Sequence, residues 1–240
     1  MVADEFSHLL SLTPSHERSW NDPEFPKAEE AFIKVNLGRA LLNQDAEAAY
    51  FLCYARVQFN LGAEHLSWQQ VDDIFETFAG SDLAPLHWLA YRFYGFKDET
   101  QIKYPNVFTD KAKAWDRLLK AIELGDAYSM YEKSLFLNRV GAPSEEIEQA
   151  KNLLDRAIEA GSKTASYLKA VWHLTPGYGL EYNEALGLDL LNQGLAFESD
   201  KFKREIIGDE NYRLMAQAIQ PDKPVKLSKG KKQHMLVKIS

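Results

Sequence analysis

Residues 114–125 (AWDRLLKAIELG) return 36 residues later as residues 150–161 (AKNLLDRAIEAG), with Ala114, Leu118, Ala121, Ile122 and Gly125 answered by Ala150, Leu154, Ala157, Ile158 and Gly161. Repetition at this interval narrows the folds open to the chain. Each copy reads as an amphipathic helix closed by glycine, and such a helix covers its apolar stripe only by stacking against the next copy. The expectation is an all-α array of two-helix units, A followed by B.

Reading outward from these copies gives four helix pairs: 45–62 with 67–80, 83–96 with 110–125, 126–140 with 144–161, and 163–175 with 182–197. The second pair carries the insertion KDETQIKYPNVFT. Asp45, Ser67 and Ser144 stand where a side-chain oxygen is wanted by the free amides of a first turn. In the last B helix Leu190, Leu191 and Leu195 fall on Leu153, Leu154 and Ile158 at an offset of 37, and Gly187 and Gly194 replace alanines. The A helices align through the small residues Ala55, Ala90, Ser134 and Ala170. A further helix from Pro26 to Gln44 precedes the pairs, and 200–219 reads as a terminal capping helix. The organisation expected is an arm over 1–25, docked through Phe6, Leu9, Leu10 and Trp20, a repeat domain over 26–219, and a basic tail over 220–240.

Charge divides the chain unevenly. Residues 220–240 hold six lysines and one acid, so the remainder carries 22 basic against 34 acidic side chains, a net of −12. An acidic body repels the phosphate backbone and favours a basic protein partner over nucleic acid. The tail reads either as a contact for an acidic surface or as a segment folded on its own body. Cys53, the only cysteine, lies among apolar neighbours (FLCYA) and is expected to be buried, in keeping with a reducing, cytoplasmic setting. The first 20 residues lack a basic start with a sustained apolar run, and no apolar stretch approaches membrane-spanning length.

The A-x-x-x-G closure, the KA opening of the B helices and the small residue in each A helix resemble Sel-one-like (Sel1-like) repeats of the tetratricopeptide family, most closely at KAKAWDRLLKAIELGDA and EQAKNLLDRAIEAGSKTA. The resemblance covers about residues 45–198. It implies a right-handed α-solenoid that binds other proteins and has no catalytic activity.

The chemistry-bearing residues agree with a non-enzyme. The six histidines lack a histidine or cysteine partner at helical spacing, so neither a metal nor another cofactor is expected. Nucleophile-elbow, phosphate-loop and dinucleotide signatures are absent. Aromatic and basic side chains on the A helices supply the candidate partner-binding set: Arg56, Phe59, His87, Tyr91, Tyr94, Tyr128, Tyr131, Arg139 and Tyr167. About half of such aromatics are equally expected to fill the core. The expected function is a protein-binding module, first of all a bacterial immunity or antitoxin protein that masks a basic toxin, with a signalling adaptor and, remotely, an enzyme with a dispersed site as alternatives. A monomer or weak dimer is expected.

Overall fold

The computed structural model describes residues 2–12, 25–95, 109–139, 141–174 and 180–195. The proposed helix over 200–219, the tail, residues 97–108 of the insertion and Trp20 lie outside them. Ten helices and no strand occur among the described residues: α1 (Val2–Leu12), α2 (Phe25–Asn43), α3 (Ala46–Phe59), α4 (Trp68–Thr77), α5 (Ala84–Gly95), α6 (Lys111–Glu123), α7 (Ala127–Leu137), α8 (Ser144–Glu159), α9 (Lys163–Leu174) and α10 (Glu184–Leu195). They fall into two compact units, residues 1–129 and 130–240.

The closing glycine works the same way in both copies of the repeat. Gly125 and Gly161 adopt φ of +89° and +88°, a left-handed conformation that costs a residue with a Cβ about 1 kcal/mol or more. That bend lets Asp126 N–H donate to the Ala121 carbonyl, and Ser162 N–H to the Ala157 carbonyl, both at 2.9 Å. The same two residues then cap the next helix, Asp126 Oδ2 accepting from Ser129 N–H at 2.6 Å and Ser162 Oγ from Ala165 N–H at 3.1 Å. One dipeptide therefore ends a B helix and starts an A helix.

In the first unit one side of α3 is enclosed, with Ala48, Ala49, Leu52, Cys53 and Ala55 buried. It packs on α2 and α5, while α5 and α6 form a close hairpin in which a Cβ on Gly95 would lie 3.1 Å from Ala114 Cβ. Ser67 caps α4 as expected, in a reciprocal pair with Gln70. The N-terminal segment includes a helix, α1, whose Phe6 and Leu9 are buried and whose Glu5 accepts from Arg39 on α2 at 3.1 Å.

In the second unit α8 buries Ala150, Leu153, Leu154 and Ala157. α9 and α10 form the closer hairpin, where a Cβ on Gly187 would sit 2.7 Å from Leu174 Cγ and 3.3 Å from the Ala170 carbonyl oxygen. Ser144 does not cap α8. Pro143, in an extended conformation (φ −58°, ψ 147°) and with no side-chain bond, occupies that position, and Ser144 is already helical, one residue past the point from which a hydroxyl reaches the first-turn amides.

Candidate partner-binding surface

The small A-helix residues Ala55, Ala90, Ser134 and Ala170 are all buried, which fixes the register. Four of the nine residues expected to bind a partner are thereby placed in the core: Arg56, His87, Tyr91 and Tyr94 are 5%, 1%, 7% and 1% exposed. Each has an internal task. The Arg56 guanidinium lies over the Trp68 ring at 3.8 Å and donates to the Leu66 carbonyl at 2.9 Å and to Asn60. His87 Nε2–H donates to the Ser81 carbonyl at 2.7 Å. The Tyr94 hydroxyl donates to Asp72 and Glu76 at 2.9 and 3.0 Å, and burial together with these carboxylates pushes its ionisation far up. Tyr91 is buried at the end of α5, its ring 3.5 Å from the position of a Cβ on Gly95.

Charged side chains close this part of the core. Arg117 on α6 donates to the Phe75 carbonyl at 2.7 Å, occupying an acceptor that the end of α4 leaves free. Lys113 lies over the Tyr94 ring at 5.3 Å and bonds Glu76 at 3.2 Å. Burial alone would raise the Glu76 carboxyl, but bonds from Tyr94 and Lys113 and the charges of Lys113 and Arg117 hold it below the usual range.

The surface aromatics of the first unit lie elsewhere. Phe59 and Tyr128 are 47% and 42% exposed. Phe59 meets the ring of Tyr54 edge-on at 5.6 Å, and Tyr54 stacks on Tyr50 at 5.5 Å and 26°. Phe6 of α1 closes the other side of this cluster against Phe32, Phe51, Tyr54 and Phe59. Tyr128 meets Trp88 edge-on at 5.2 Å, joining the first turn of α7 to α5. Tyr50, Tyr54 and Trp88 are half-buried, and the sequence pattern had not singled them out. For the two tyrosines the signal is their i, i+4 spacing on α3, readable as one face.

In the second unit Tyr131 and Tyr167 are half-buried on α7 and α9, and burial raises the Tyr167 phenol. Arg139 is exposed but engaged: its guanidinium pairs with Glu146 at 2.5 Å and lies over the Phe136 ring at 5.6 Å. Among the described residues no group of three or more metal-ligating side chains converges, and no helix is long and apolar enough to cross a membrane. Cys53 is buried, and desolvation pushes its thiol well above the ordinary value.

No protein-family model and no curated protein matches the chain. Among solved structures it is similar to the crystal structure of a Sel1 repeat protein from Oxalobacter formigenes, with a TM-score of 0.57 at 15% identity over 86% of this chain. The chain spans 55% of the length of that protein. The likeness is one of fold: the chain has the all-α, two-helix-repeat architecture of an α-solenoid.

Proposed function

We propose that the chain is a non-catalytic module that binds a basic protein. The observation that carries this reading is the partly exposed aromatic surface of the first unit, Phe59 with Tyr50 and Tyr54 on α3 and Trp88 with Tyr128 on α5 and α7. Large rings fixed by their neighbours bury much area on binding at little entropic cost. Residues 1–129 also hold 20 acidic against 12 basic side chains, a net of −8 that steers a basic partner inward. Tyr131, Tyr167 and Arg139 extend the reading to the second unit.

The finer form of the proposal is an immunity or antitoxin protein in the cytoplasm that masks a basic toxin. Its test is co-expression with the product of a neighbouring toxin gene: protection of the host cell, lost in a Phe59→Ala, Tyr128→Ala double variant that folds normally, supports it. Full protection by that variant overturns it. For the broader reading, a captured partner that binds the double variant as tightly as the parent removes this surface from consideration.

A further inference from the structure

Helix α2 is apolar on two sides. Phe32, Ile33 and Ala40 are buried where α2 packs on α1 and α3, while Val35, Leu41 and Leu42 stand exposed on the outside. A helix apolar all round is ordinarily covered all round. The outer side has a regular spacing: Ala28, Ala31, Val35, Gly38 and Leu42 follow one another at intervals of 3, 4, 3 and 4, the seam of a two-helix contact. Leu42, at 84% exposure, is the most exposed large apolar side chain among the described residues. The same helix also carries a place for such a side chain. A cavity of about 320 Å³ lies on α2 among Ala28, Ala31, Phe32 and Val35, closed on the α1 side by Leu9, Glu5 and His8. Positions i, i+3, i+4 and i+7 frame the hole of knobs-into-holes packing. One helix thus bears a projecting leucine and, about 16 Å back along its axis, a hole framed to receive one.

We propose that α2 is a self-association face, on which a second copy of the chain lies antiparallel and each Leu42 fills the hole of the other. In this register Ala31 faces Leu42 of the second copy and Val35 faces its Gly38, so each large residue meets a small one. A Cβ at Gly38 would have nothing within 4 Å, which leaves the space that the opposite Val35 enters. The contact closes on itself about a two-fold axis midway between knob and hole, so it stops at two copies. Charge permits the approach. The first unit is acidic as a whole, but α2 holds Lys27, Lys34 and Arg39 against Glu29 and Glu30. Two of these cations are already paired, Lys34 with Glu30 and Arg39 with Glu5. Two copies therefore meet here without the repulsion between acidic surfaces that opposes contact elsewhere, and a near-neutral face gives a basic partner no steering.

The test begins with sedimentation equilibrium of the full chain. It should show a reversible step from the mass of one chain to that of two, with monomer dominant at about 1 µM and dimer at about 200 µM, as suits a contact of one helix per copy. Leu42→Glu puts a charge into the opposite hole and should weaken association at least tenfold. Its position is solvated in the single chain, so the urea midpoint at about 1 µM should not move. Leu119→Glu, at an exposed leucine of α6, should leave association unaltered. Register is read by cross-linking. Ala31→Cys and Leu42→Cys come face to face across the contact, whereas two copies of either position lie about 16 Å apart, beyond disulfide reach. Mixing the two variants under mild oxidation should give a covalent dimer at least tenfold faster than either alone, with the buried Cys53 silent. A chain that stays monomeric at about 200 µM overturns the proposal. So does a dimer that tolerates Leu42→Glu, that is weakened as much by Leu119→Glu, or that cross-links no faster in the mixture than in the single variants.

Discussion

His87 is a buried histidine whose surroundings favour the neutral form. Nε2–H bonds the Ser81 carbonyl, Nδ1 has no hydrogen-bond partner among the described residues, and burial disfavours the imidazolium. Its ionisation in the fold therefore lies below the unfolded value of about 6.5. Above that value both states are neutral and stability is complete; as pH falls through it the unfolded chain takes the proton first, and stability declines until the folded pKa is reached. Urea midpoints between pH 8 and pH 5 should fall below about pH 6.5, and a His87→Gln variant should show a shallower fall over the same interval. Tyr94→Phe tests a neighbouring polar network. It deletes one hydroxyl that bonds two carboxylates which water can also reach, so it should cost about 1 kcal/mol of unfolding free energy. A wild-type urea midpoint would contradict that role.

Between helices, the small residues decide how near two backbones come. Ala121 and Ala157 are fully buried at equivalent points of α6 and α8, and leucine at either should overpack its crossing by about 1 to 3 kcal/mol in denaturant titration. Glycine substitutions should split in sign. Gly38, inside α2, has open space where a Cβ would go, so Gly38→Ala should stabilise by about 0.5 to 1 kcal/mol. Gly187→Ala drives its methyl into Leu174 and toward the Ala170 carbonyl, and should destabilise despite the better helix propensity. The repeat was legible because the B helices carry narrow apolar stripes whose spacing marks one face. The A helices were legible in register but not in orientation. AEAAYFLCYARVQF is apolar around most of its circumference, so periodicity alone does not separate core rings from surface rings. Arg56 and Arg117 were harder still, since the carbonyls that accept from them belong to Leu66 and Phe75, 10 and 42 residues away in sequence.

For the molecule as a whole, the acidic surplus of residues 1–129 sets how fast a basic partner arrives. Raising salt from about 0.05 to 0.5 M should slow association at least tenfold while changing dissociation little, because exposed charges are screened beyond a few ångströms and packed rings are not. Stopped-flow mixing separates the two rates, and a salt-independent association rate would remove steering from the account. Cys53 provides a further use of the fold. A single thiol, sealed in the middle of α3, reacts with an alkylating reagent only when the helices around it part. The natural sequence thus carries its own clock for the breathing of the first unit: the labelling rate divided by that of a free thiol gives the fraction of time this core stands open, with no engineered probe and no second cysteine to blur the signal.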